Sequence, residues 1–204
     1  MGDAVGTALE FELPRSFVPI TDMIGGGPFG LAPGQWTDDT SMALCLAESL
    51  LEKQGFDAVD QLERYGRWWK EGHLSSTGKS FDIGIATREA LSLFVKTPKP
   101  FCGSTDPKTA GNGSIMRLAP IPTFFAGDPE RAIELAANSS RTTHSAPAAV
   151  DACRYFAARR KETRHNPKTR TRRRAGARKE NFIAAYKTIR RCPKARYPCS
   201  IGKL

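Results

Sequence analysis

The sequence is short of cysteine, has no long apolar run and shows no stretch of alternating polar and apolar residues. Each absence removes a class of protein. The five cysteines (Cys45, Cys102, Cys153, Cys192 and Cys199) are odd in number and widely spaced, with no Cys-x-x-Cys pair. That argues against a disulfide framework and a paired-cysteine zinc site, and predicts reduced, mostly buried thiols. No run of 18 apolar residues exists, so no membrane span is expected. The opening "MGDAVGTALEFELP" is acidic and lacks an apolar leader core, which argues against a secretory signal. A cytoplasmic location is the expectation. Without strand-like alternation or repeats, the body is predicted to be all-α.

What is present falls into two parts. With 204 residues and 40% apolar content, the chain fits one domain with a real core. Residues 1–158 carry a balance of −5 and residues 159–204 one of +15, which together make the net +10. A mildly acidic body thus precedes a strongly basic tail, and the tail sets the pI.

Helical periodicity orders the body. Residues 2–12 read as the end of a helix entering a loop, and the Gly- and Pro-rich stretch 23–36 reads as loop. Met42, Leu46 and Leu50, with Ala43 and Ala47 beside them, form one apolar helix face. Further helices are predicted over 58–70, 85–96, 128–144 and 146–158, with 97–120 as an irregular connection. Asp128 is placed as an N-cap ahead of Pro129. Trp68 and Trp69 read as core residues rather than a stacking platform for a base.

"WTDDT" (36–40) has two readings on its own. Thr37, Asp38 and Asp39 stand at a helix start, where threonine and aspartate cap free N–H groups and acidic residues favour the dipole. The same three side chains are hard oxygen donors, suited to Mg²⁺ or Mn²⁺ rather than zinc.

Five motifs in order decide between them: "GDAVGTALEF" (2–11), "PGQWTDDTSMAL" (33–44), "STGKSFDIG" (76–84), "AGNGSIMRLAP" (110–120) and "SSRTTHSAPAAVDACRYF" (139–156). Together they resemble the ADP-ribosylglycohydrolase family, including its dinitrogenase reductase-activating glycohydrolases. The resemblance implies an all-α orthogonal helical bundle binding two Mg²⁺ ions (Mn²⁺ possible). It also implies hydrolysis of the glycosidic bond linking ADP-ribose to a protein side chain or small acceptor.

Carried over residue by residue, the resemblance makes Thr37, Asp38 and Asp39 metal ligands, with Asp38 also catalytic. Glu10 becomes the carboxylate that positions or deprotonates water, or engages the ribose. Gly111, Asn112, Gly113 and Ser114 would line the ADP-ribose pocket, joined by Met116 and Arg117. Glycines beside Asn112 let backbone N–H groups approach an anion closely. His144 would lie near the nucleotide, though a packing role is an equal reading. Asp3 is expected to be structural rather than a ligand. Ser80 to Gly84 would form a loop near the metals, where Ile85 replaces the asparagine common in the family.

Two departures stand against the pattern. Met1 directly precedes Gly2, so most of the family's first helix is missing. No aspartate follows Asp151, so the Asp-x-Asp-Thr motif that completes the metal site is missing too. The expected organisation is therefore a partial domain, truncated at both ends, over 1–158, and a basic, disordered or out-of-frame tail over 159–204. The expected partner is an ADP-ribosylated protein or small ADP-ribosyl substrate. The rival expectations are an inactive fragment that retains ADP-ribose binding, and nucleic-acid binding through a genuine basic tail.

Overall fold

The computed structural model describes residues 1–165, with side chains as far as Arg159. The architecture is a helical bundle. In chain order its elements are α1 (Gly2–Gly6), a 3₁₀ turn (Thr7–Leu9), α2 (Asp38–Glu52), α3 (Ala58–Glu71), α4 (Ile85–Lys96), a second 3₁₀ turn (Pro107–Thr109), α5 (Pro120–Phe124), α6 (Pro129–Arg141) and α7 (Pro147–His165). Among the described residues, extended pairing is limited to two isolated bridges, Gly26 with Leu31 and Ser104 with His144. Helix α7 continues through residue 158 to His165; the expectations for the rest of the tail lie outside the described residues. α5 was not anticipated, because five residues opened by Pro120 are too few to show a period.

α2 is the hub. Its predicted face, Met42, Leu46 and Leu50, is fully buried and packs against Leu62, Tyr65 and Trp68 of α3. Leu91 and Phe94 of α4, Leu118 and Ile121 at α5, Leu135 of α6 and Cys153 of α7 complete the same core. Trp68 sits in that core and Trp69 packs at its edge. Cys45, Cys102 and Cys153 are free and buried, as expected of reduced thiols; Cys192 and Cys199 lie outside the described residues.

The opposite side of α2 is buried as well, and there Glu48 needs compensation. Arg64 supplies it at 2.6 Å and also pairs with Glu52 (2.8 Å) and Asp60 (2.7 Å). His73 Nε2 adds a 2.7 Å contact to Glu48. This network ties α2 to α3 and to the loop after it. Removing one partner of such a buried pair costs about 3–5 kcal/mol, because the other charge is left uncompensated.

The cap at Asp128 forms as read, its carboxylate accepting from the Arg131 N–H at 3.0 Å. Near the site, Cys102 and Gly103 donate backbone bonds to Thr142 and Arg141, and Ser145 donates to Ser104. Those bonds pin the 102–104 segment against the α6–α7 corner that carries His144.

Candidate active site

The cap question at α2 is settled by α1. Thr37 occupies the N-cap position without making a side-chain cap bond of its own. Asp3 caps the helix instead. Its Oδ1 accepts from the Thr37 N–H (3.1 Å) and hydroxyl (3.0 Å), and its Oδ2 from the Thr40 N–H (3.1 Å) and hydroxyl (2.7 Å). The Thr40 N–H, one of the free donors of the first turn, is thereby satisfied from outside the helix. Asp3 is structural, as its motif suggested. Asp38 and Asp39, relieved of capping, line an open cleft beside α2.

That cleft has a volume of about 310 Å³ and is bounded by five segments. Glu10 and Phe11 come from the turn after α1, Asp38 and Asp39 from the start of α2. Asp82 and residues 84–87 come from the loop entering α4, and Gly111 to Gly113, with Met116 and His144, close the remaining wall. Asp82 sits at φ 57°, a left-handed conformation that aspartate tolerates better than most residues. Asp82 and Phe11 lie within the motifs "STGKSFDIG" and "GDAVGTALEF", but nothing local in either motif marks them as cleft residues.

The carboxylates perturb one another. Burial, then the charges of Asp82 and Asp39, push Asp38 up to about 8. Glu10 is raised by partial burial and then by Asp82, and Asp39 by burial and then by Asp3. Asp82 is raised by burial and by Asp3. A divalent cation would relieve this repulsion, and carboxylate and hydroxyl oxygens fit Mg²⁺ or Mn²⁺ in donor chemistry. Among the described residues, no three acidic, histidine or cysteine side chains converge closely enough to enclose an ion. The donor set fits the ion in kind and falls short of a closed shell.

Thr37 is buried beneath the cleft, its hydroxyl shared between Asp3 at 3.0 Å and Asp39 at 3.3 Å. His144 is also buried. Thr143 Oγ1 holds its Nδ1 at 2.8 Å, and burial, followed by the Arg117 charge, lowers its pKa to about 4. The ring is neutral at physiological pH and faces the glycine wall. A Cβ on Gly113 would stand 2.8 Å from His144 Cε1 and 3.2 Å from Thr87 Oγ1, so glycine is required for this close approach.

Ser114 and Arg117 do not reach the cleft. Ser114 is buried against Ser140 and Cys153. Arg117 is fully buried, donates to Thr143 Oγ1 (2.6 Å) and Thr142 Oγ1 (3.2 Å), and lies 4.4 Å from the centre of the Tyr65 ring. It braces the α6–α7 corner from behind, and touches the site only through the hydroxyl that holds His144. Ile85 is exposed on the cleft rim.

The chain is 46% identical to the ADP-ribosylarginine hydrolase of Serratia proteamaculans over 156 residues, covering 76% of this chain and 42% of that one. It is 31% identical to the ADP-ribosyl-[dinitrogen reductase] glycohydrolase of Rhodospirillum rubrum over 160 residues, covering 75% and 51%. A solved chain from an ADP-ribosylglycohydrolase-related protein complex matches with a TM-score of 0.66 at 43% identity, over 77% of this chain and 50% of that one. The chain thus spans about half the length of the curated relatives it matches. The family model for ADP-ribosylglycohydrolases matches residues 1–189, and this chain belongs to the ADP-ribosylglycohydrolase family.

Proposed function

We propose that this chain carries residues of a divalent-metal-dependent site that hydrolyses the glycosidic bond between ADP-ribose and a protein side chain or small acceptor. Arginine is the proposed acceptor, after the name of the Serratia relative. The observation that carries the reading is the convergence of Glu10, Asp38, Asp39 and Asp82 on one cleft whose other wall is Gly111 to Gly113 and His144.

Thr37, Asp38 and Asp39 would hold Mg²⁺ or Mn²⁺, with two ions as the family expectation. Bound there, the metal would supply Lewis-acid polarisation and lower the pKa of water. Glu10, its pKa raised by partial burial and then by Asp82, is suited to exchange a proton with water or the leaving group. The Gly111 to Gly113 backbone can approach a diphosphate without side-chain obstruction. His144, neutral and fixed by Thr143, presents the rest of its ring toward that wall as a hydrogen-bonding and packing surface. Asp38 would have to be deprotonated to hold a cation, so metal affinity should rise with pH.

Titration calorimetry of ADP-ribose with and without Mg²⁺ or Mn²⁺ tests the reading. Metal-dependent binding, weakened at least about tenfold by Asp38→Ala, is the expected result. No binding at any metal concentration would overturn it.

A further inference from the structure

Directly after Glu10, the chain turns Phe11 outward. Phe11 adopts φ 66°, a left-handed conformation that is costly for a bulky side chain and persists where the surroundings hold it. The residue is 75% exposed on the cleft wall. It is not a loose surface residue, however. It meets Phe29 edge-on at 6.3 Å between ring centres, and Phe29 packs on Phe81 at 5.1 Å.

These three rings come from separate stretches of chain. Two of them neighbour cleft carboxylates in sequence: Phe11 follows Glu10, and Phe81 precedes Asp82. An aromatic ladder is therefore built into the rim of an acidic cleft, with its outermost ring left open.

An open aromatic face beside carboxylates is a receptor for a planar cation. Guanidinium stacks on aromatic rings and is less strongly hydrated than ammonium. A neutral base would gain from stacking on the ring but not from its quadrupole, and a diphosphate gains nothing from the ring's negative face. The geometry points to Phe11 as a specificity-determining residue that stacks on the guanidinium of an ADP-ribosylated arginine, with Phe29 and Phe81 holding the ring in place. This rests on the proposed ADP-ribosyl hydrolase function and adds to it the residue that reads the acceptor.

The test compares the affinities of ADP-ribosylarginine and ADP-ribose for the full chain in Mg²⁺, by calorimetry. The wild type should prefer ADP-ribosylarginine. Phe11→Ala and Phe11→Leu should cut that preference by about 3- to 30-fold, and Phe11→Trp should restore it. Leucine keeps the apolar bulk and removes the π face, so a change caused by lost packing alone would spare Phe11→Leu. Equal weakening of both ligands, or a preference unchanged in Phe11→Ala and Phe11→Leu, would overturn the assignment of Phe11. Failure of the wild type to bind either ligand would overturn the functional reading on which it stands.

Discussion

Replacing Asp3 tests the account of the site at its foundation. Its carboxylate accepts from two backbone N–H groups and two hydroxyls at the start of α2. In Asp3→Ala, the Thr37 hydroxyl can turn to Asp39, already at 3.3 Å. The Thr37 N–H, the Thr40 N–H and the Thr40 hydroxyl have no such substitute. Losing an N-cap costs about 1–2 kcal/mol, and each bond to a charged group about 1.5–3 kcal/mol before water replaces it. Thr40 is half-exposed and recovers part of its loss from water, whereas Thr37 is buried. Against this, removing Asp3 relieves repulsion on Asp39, Asp82 and Glu10, a gain of about 1 kcal/mol at most for partly screened charges. The net expectation is a loss of about 2 kcal/mol, or a Tm lower by about 4–8 °C for a domain of this size. Asp3→Asn, which keeps one acceptor oxygen, should fall between. Urea unfolding followed by circular dichroism measures the effect. A loss below about 0.5 kcal/mol, the range of ordinary surface substitutions, would refute Asp3 as the cap.

Two further outcomes follow from the cleft. Gly113→Ala drives a Cβ against the His144 ring and Thr87; it should cost about 1–3 kcal/mol of stability and weaken ADP-ribose binding, with unchanged affinity refuting the glycine wall. In metal-free protein, the raised pKa of Asp38 means that its stabilising contribution is fully present below about pH 4 and is lost as pH rises through about 8. The lowered pKa of His144 acts in the opposite sense: its contribution is present above about pH 6.5 and is lost as pH falls through about 4. Asp38→Asn should therefore remove a fall in melting temperature between about pH 4 and 8, and His144→Phe an opposing rise between about pH 4 and 6.5. A pH dependence between about pH 6.5 and 8 that is the same in wild type and Asp38→Asn would count against the placement of Asp38.

Much of the fold was legible because helices announce themselves within a few residues. The period of Met42, Leu46 and Leu50, the Asp128–Pro129 start of α6 and the glycine-rich loop before α2 each depend on neighbours in sequence. The burial of α2 on its other side was not visible, since Glu48 looks like a solvent residue until Arg64 and His73 are brought against it. In the site, "WTDDT" and "GNG" were readable as motif text. Asp82 and Phe11 were not legible, because nothing local marks one aspartate in a loop, or one phenylalanine after a glutamate, as facing a cleft.

By itself, the sequence determined the helices, the ordered motifs and hence the family, since these rest on local periodicity and on the identity and order of residues. Tertiary structure alone decided which side chain caps α2. It also decided that Arg117 and Ser114 lie behind the cleft, and that four carboxylates from three segments share it. Those outcomes depend on contacts between residues up to 81 positions apart, as in the Gln61–Thr142 hydrogen bond that joins α3 to the His144 corner. Packing geometry at that range is set by the summed burial of the whole core, which no short stretch of sequence encodes.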